Sequence, residues 1–528
     1  MIRQTSTVPR FVRDLRSPLA TDWQELPGGA TEETRTVKKI GIKRANLASV
    51  AQWFAQKFPK LPDEFGDSVL EEPDKNGRLV VYDICQPFLA ATLGEDGTPD
   101  APTIYLPAEN RFYTYSSEEG VYVETREPAL FTRLSRLLLE AARASDGAVT
   151  KKLEFGFRDS ANLVGVVKHA QGLLAKPHDY FDCRLTEFIP CRNGMLRLSD
   201  KKLLGFSPSY RRRNKLGVVF DPAAKCKLFL KTLMQPALNA DDLDLLQRWC
   251  GLALIGQNIA QRILLLVGTA GGGKGTFIRV LVGVIGAGNV GGLRTQLLGE
   301  RFEVGRLLGK TLLYGADVPD DFLNYRGASV LKPLTGGDPV TLEFKHSNEA
   351  PGIVCKFNII VTCNSRLTVH LEGDTGAWRR RLAIIEYRNP KPKKIIADLS
   401  EQILEREASG VLNWMLAGLE RIRADDWQLH LTAVQQKVVD DLLLESESHT
   451  VFVRESLARA DEAQLTVADC YTAYVKFCSE HGWRALTRNR FGAVIGDVVV
   501  HQFAITPRHD IPDDNGKEQR GWKGICLQ

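Results

Sequence analysis

The sequence predicts a multidomain α/β protein, and three observations predict it. At 528 residues the chain exceeds one ordinary domain, and at roughly 100–200 residues per domain it holds about three to five. An apolar strand pattern, Ile263 to Val267, runs into the glycine-rich stretch "GTAGGGKGT" and then into a helical pattern, which is the order of an α/β unit. Residues 446–528 read as helix, turn, helix and hairpin, a separate small domain. Hydrophobic residues make up 44% and charged residues 25% of the chain, so sizeable cores can form and a fibrous or wholly disordered protein is excluded.

The ten cysteines are scattered with no C-x-x-C, which argues against zinc and disulfide frameworks and for a reducing, cytoplasmic location. No apolar run approaches the roughly 20 residues that span a bilayer, so no membrane partner is expected. The net charge of +5 is too slight to identify a polyanion partner by itself.

Residues 1–39 read as a tail or linker, and their arginines are either an untethered end or a basic arm touching nucleic acid. From 40 to 215, runs such as "RLVVYDI" and "RFYTYS" alternate with helical stretches such as "ALFTRLSRLLLEAARA", giving an α+β region without a catalytic constellation. Within it, Asn193-Gly194 marks a hairpin, and the basic run Arg211 to Lys215 is either a phosphate contact or a solvated loop. Residues 216–260 form a helical collar, with Asn239 and Asp242 as a capping pair. The α/β core occupies 261–395, and residues 396–445 form a helical lid or linker. In the last domain, Thr466 and Asp469 cap the first helix, while Arg484, Arg488 and Arg490 lie near the start of the second, where a winged helix meets DNA. A protein-docking winged helix with solvated arginines is the alternative.

The chemistry concentrates in the core. Gly268, Gly271, Gly272 and Gly273 can turn backbone amides toward an anion at a helix N-terminus, while Lys274 reaches the outer phosphates. Gly275 stands where the motif G-x-x-x-x-G-K-[ST] expects a hydroxyl, so Thr276 becomes the magnesium-side candidate. The strand "TLLYG" leads to Asp317, 43 residues after Lys274, with Asp320 and Asp321 close behind. A carboxylate at a strand tip can hold magnesium through water, and a second acid can orient an attacking water. A further strand, "KFNIIVTCN", ends in Asn364, placed to sense a γ-phosphate. Fifteen residues on, Arg379, Arg380 and Arg381 precede another strand and can serve a neighbouring subunit's nucleotide as an arginine finger. Between these motifs, Lys345 and His346 fall in a predicted hairpin whose cation and imidazole can meet phosphate oxygens in a pore.

Taken in this order, the glycine loop, strand-Asp317, "LTGGDPVT", strand-Asn364 and "DTGAWRRR" resemble the superfamily three helicases of phages, plasmids and small DNA viruses. The resemblance is closest to the phage/plasmid primase-helicase group related to the poxvirus primase-helicase, and it is strong over 220–387. It implies an AAA+ P-loop ATPase core using ATP and Mg²⁺, a preceding collar, and a homo-hexameric ring moving along single-stranded and forked DNA. By that resemblance Lys274 binds phosphate, Asp317 is the Walker B acid and Asn364 the sensor. Arg379 is then the finger with Arg380 next, and Lys345 and His346 form the channel hairpin. Relatives often place two adjacent acids where this chain has "DVPDD", so either Asp320 or Asp321 orients the water. No primase constellation precedes residue 200, which implies a separate primase. Two other readings compete: an origin-binding initiator whose ATPase is an assembly switch, and a nucleotide kinase, which shares the GKGT ending.

Overall fold

The N-terminal part begins with a helix, Val50–Lys57, opened by a reciprocal capping box between Ser49 and Gln52. Two strands, Val69–Pro73 and Leu79–Ile84, pair antiparallel beside it. A three-stranded antiparallel meander comes next, Thr103–Leu106, Arg111–Ser116 and Val121–Thr125. Helix Glu127–Ala144 buries Leu130, Leu134, Leu138 and Ala141, a stripe at helical spacing. The computed structural model describes residues 49–73, 75, 79–144, 152–183, 185–325, 327–341, 352–365, 367, 369, 375–387, 396–513 and 516–528. Ala48–Gln528 form one unit; the other, Met1–Leu47, lies outside the described residues, and with it the arginines of the expected tail.

The hairpin at Asn193-Gly194 is present: Phe188–Cys191 pairs with Gly194–Arg197, so the two-residue turn is Arg192-Asn193 and Gly194 opens the second strand. The Asn193 side chain then exchanges two hydrogen bonds, both 2.9 Å, with the backbone of Phe220.

The basic run after it is a solvated loop only in part. Arg212 is buried and donates to the carbonyls of Phe181 and Cys183. Arg213 pairs with the buried Glu109 at 2.6 and 2.9 Å, and the Tyr113 hydroxyl donates to the same carboxylate. Arg211 lies over the Tyr180 ring, and Lys215 reaches Glu119. Arg212 and Arg213 are thus consumed internally, by carbonyls and one buried acid, while Arg211 stays exposed and Lys215 pairs with an exposed acid.

Helix α1, Ala240–Ile255, starts at Asn239, whose side chain accepts the Asp242 amide at 2.8 Å. The core then runs β1 (Ile263–Gly268), α2 (Lys274–Ile285), β2 (Val290–Gly292), β3 (Leu312–Gly315), β4 (Asn358–Cys363), α3 (Thr375–Arg381) and β5 (Leu382–Tyr387). The five strands form one parallel sheet in the order β2-β3-β4-β1-β5. Alternate residues face two different cores. Leu264, Leu266, Ile360 and Ile385 meet α1, α2 and helix α4 (Leu399–Ala424), while Ile263, Leu265, Ile359 and Ile384 meet the segments before β4 and helix α5 (Ala433–Ser446). Burial on both faces explains why the strands read as unbroken apolar runs.

Helices α1 and α4 cross at two glycines. A Cβ on Gly418 would fall on the Gln247 carbonyl, and one on Gly251 would fall on the Leu419 amide.

The C-terminal part runs α6 (Ser448–Ser456), β6 (Leu457–Thr466), α7 (Val467–Glu480), α8 (Arg488–Phe503), β7 (Arg508–Pro512) and β8 (Glu518–Leu527). Thr466 caps α7 through the Asp469 amide at 3.1 Å. The sequence reading missed β6, which pairs with β8 and closes a three-stranded antiparallel sheet. Among the described residues no helix is long and apolar enough to cross a membrane.

Two substitutions test these packing assignments. Arg213→Met strands the Glu109 carboxylate and should cost about 3–5 kcal/mol of unfolding free energy in urea titration. Gly418→Ala forces α1 and α4 apart and should cost about 1–3 kcal/mol or more in the same assay.

Candidate functional site

Three adjacent strands end on the same edge of the sheet. Register pairs Val267 of β1 with Cys363 of β4, and Val361 of β4 with Gly315 of β3. The segments that leave these strands therefore meet at one place: the glycine loop after β1, Asn364 after β4 and Asp317 after β3. In open parallel sheets such carboxyl-end crevices are where ligands bind.

A cavity of about 480 Å³ opens there, lined by Ala270 to Thr276, Arg279, Tyr314, Asp317 and Asn364. Gly271 and Gly273 have φ of +87° and +96°, a backbone that side-chain-bearing residues rarely adopt. Gly268, at +150°, passes so close to Tyr387 that a Cβ would sit 2.5 Å from its carbonyl oxygen. Helix α2 starts at Lys274, so the amides of Lys274, Gly275 and Thr276 belong to a first turn without intrahelical acceptors. The Lys274 ammonium donates to the carbonyls of Gly268 at 2.6 Å and Thr269 at 3.0 Å. Burial pushes its pKa down, and the Asp317 carboxylate opposes that shift.

Asp317 has a φ of +40°, a strained left-handed conformation for a residue with a side chain. Its amide donates to the Thr362 hydroxyl at 2.9 Å, and its carboxylate accepts from the Asn364 side-chain amide at 3.1 Å. The acid and the amide that the sequence placed on separate strands are thus direct partners.

Asp320 does not line the cavity; its charge acts on the buried Cys363 thiol, which burial chiefly pushes up. Asp321 is engaged by the Tyr325 hydroxyl.

Arg379 and Arg380 are exposed on α3 and also lie away from the cavity. Leu382, the residue after α3, pairs with Ile263 at the opposite end of β1. Arg379 forms a two-bond pair with Asp440 of α5. Lys345 and His346 lie outside the described residues; the strands on either side of them, Pro339–Thr341 and Gly352–Val354, pair antiparallel. Arg488 and Arg490 are exposed in the first turn of α8, far along the chain from the cavity.

The sequence reading missed a wall of this cavity: Thr232, Leu233, Pro236 and Ala237 from the segment before α1, and Ile396 and Leu399 from the start of α4. It also missed Arg279, one turn beyond Thr276, whose guanidinium bonds the Ser400 hydroxyl at 2.9 Å. Helical spacing from Thr276, three residues earlier, was the available signal for Arg279. Nothing local marked the apolar wall. Among the described residues there is no group of three or more His, Cys, Asp and Glu that could hold a metal ion by themselves.

Residues 105–235 match a family described as D5 N terminal like. Residues 266–381 match a family of unknown function, DUF5906, over a span that starts inside β1 and stops at the last arginine of α3. Neither match reaches half of the chain. Apo structures of the NrS-1 C-terminal region are similar at 11% identity. One covers 81% of this chain and 97% of its own with a TM-score of 0.45; another covers 83% and 100% at 0.44. No curated protein matches the chain.

Thr362→Val removes the acceptor of the Asp317 amide while keeping the strand packed. It should lower stability by about 1 kcal/mol, read as a fall in urea midpoint at unchanged slope.

Proposed function

We propose that this protein is an ATP-dependent, ring-shaped DNA helicase of the superfamily three type, driving replication of a phage, plasmid or other mobile element. The observation that carries this reading is the convergence of Lys274, Thr276, Asp317 and Asn364 on one cavity at the ends of three neighbouring parallel strands.

In this reading the glycine loop is a P-loop, and the Lys274 ammonium leaves its two loop carbonyls for the outer phosphates of ATP. Thr276 and Asp317 offer a hydroxyl and a carboxylate, the hard oxygen donors that magnesium takes beside substrate phosphates. Bound between them and the nucleotide, the ion would neutralise charge on the β- and γ-phosphate oxygens. Asn364, fixed by its bond to Asp317, orients the attacking water or the γ-phosphate. Asp320 is better disposed than Asp321 to act as second acid, since Tyr325 already engages Asp321. The apolar wall from Leu233 to Leu399 receives the base.

An arginine from a second copy completes the site. Arg379 lies at the other end of β1, and a six-residue strand spans about 17 Å, beyond the reach of the chain's own cavity. That separation supports a ring in which each subunit serves its neighbour, with a hexamer as the proposed state. The hairpin framed by Pro339–Thr341 and Gly352–Val354 would carry Lys345 and His346 to single-stranded DNA in the channel, and α8 of a winged-helix unit would bring Arg488 and Arg490 to duplex or forked DNA.

Lys274→Ala should abolish ATP hydrolysis and strand displacement on a forked duplex, whereas the wild type should hydrolyse faster with single-stranded DNA and separate strands. Wild type that hydrolyses ATP and protects discrete sites but displaces no strand on either fork polarity would favour an origin-binding initiator instead. Arg379→Ala should lower kcat by about 100-fold or more. Mixing it with Lys274→Ala should restore part of the activity, because mixed rings pair an intact Lys274 with a neighbour's intact Arg379.

A further inference from the structure

We propose that Asp440 is the positioning residue for Arg379, holding one edge of its guanidinium so that the other edge faces the nucleotide of an adjacent subunit. This rests on the reading of Arg379 as an arginine supplied in trans.

An arginine on a short exposed helix has many rotamers, and a group that must meet a transferring phosphate gains from having few. Helix α3 has only seven residues and cannot fix the side chain itself. Asp440 does so from α5. Nε of Arg379 donates to Oδ1 at 2.7 Å and Nη2 donates to Oδ2 at 2.9 Å, a side-on fork. The carboxylate is held in turn: Gln436, one helical turn earlier, donates to the same Oδ1 at 2.9 Å. The guanidinium beside it keeps the Asp440 carboxyl below the usual carboxylate range, so the acceptor stays charged.

The helix carrying Arg379 is also pinned at both ends. The Thr375 hydroxyl donates to Glu447, just past α5, at 2.9 Å. At the other end, Arg262 donates to the Arg379 carbonyl at 3.4 Å and the Leu382 carbonyl at 3.0 Å.

A guanidinium has five N–H donors in a rigid plane. The side-on fork uses the Nε–H and one N–H of Nη2. It leaves both N–H groups of Nη1 and the second of Nη2, the edge that suits a phosphate. Asp440 therefore aims Arg379 without occupying it. Arg380, its exposed neighbour, has no such carboxylate among the described residues, which separates the two arginines that the sequence left as candidates. The pair is partly solvent-exposed, with side-chain exposures of 56% and 34%, so it contributes little to folding, and its loss should be read in catalysis.

The test compares steady-state ATP hydrolysis by full-length Asp440→Ala, Asp440→Glu, Arg379→Ala and the Asp440→Ala/Arg379→Ala double variant, with assembly followed by light scattering. Asp440→Ala should lower kcat about tenfold or more, leave KM within about twofold and leave assembly unchanged. Asp440→Glu should recover part of kcat. The double variant should be no worse than Arg379→Ala alone, as expected of two residues acting through one group. The proposal is overturned if Asp440→Ala matches or exceeds wild-type kcat while Arg379→Ala falls, or if the two losses multiply. If Arg379→Ala keeps full activity where Lys274→Ala loses it, the in-trans arginine fails and Asp440 has nothing to position.

Discussion

The site depends on the parallel hydrogen-bond ladder that places β4 between β1 and β3. Strand spacing of about 4.8 Å puts β1 and β3 about 10 Å apart, a gap across which Lys274 and Asp317 line one cavity. The inserted strand supplies Asn364, and its register with both neighbours brings that amide level with the loop and the acid. The Asn364–Asp317 bond and the Thr362–Asp317 bond then tie the strand tips together. A left-handed aspartate is a strained choice, and these two bonds, both made by β4 or the residue next after it, hold it in place.

The rest of the molecule supports that edge. Two glycines let α4 lie close against α1, and α4 in turn supplies Leu399 to the cavity while α2 carries Lys274. The N-terminal region is fastened by the buried Arg213–Glu109 pair rather than by apolar packing alone. A buried pair of this kind is a weak source of net stability but a demanding one geometrically, since either partner alone is an uncompensated charge. Both partners lie inside the matched region 105–235, so the pair fixes geometry within that region.

Residues whose placement comes from local order were legible in the sequence. Strand, glycines, lysine and helix are contiguous, and Asp317 and Asn364 each come directly after a buried apolar run. The caps at Asn239 and Thr466 were legible for the same reason. Contacts made across the chain were not. Arg211 to Lys215 look alike in sequence, yet one is buried against carbonyls, one pairs with a distant acid and one stacks on tyrosine. The apolar wall of the cavity comes from segments before α1 and at the start of α4, which share no motif with the glycine loop. Half of strand β6 is polar and three of its five apolar residues are alanines, so its apolar alternation was too weak to read. Asp440 is one acid among several on an amphipathic helix, and only the fold reveals which arginine it meets.

The ladder also divides the chain into parts that can and cannot change length. A residue inserted within β4 would carry Asn364 to the other face of the sheet. Residues added well after Asp317 and before Asn358 would leave it in place, because the strand's pairing, not the length of the connection, sets its position. The hairpin framed by Pro339–Thr341 and Gly352–Val354 lies inside that permissive interval. Mutation can therefore lengthen, shorten or recharge this hairpin while the cavity stays as it is, and the part of the chain proposed to meet DNA can diversify at no cost to the part proposed to meet ATP.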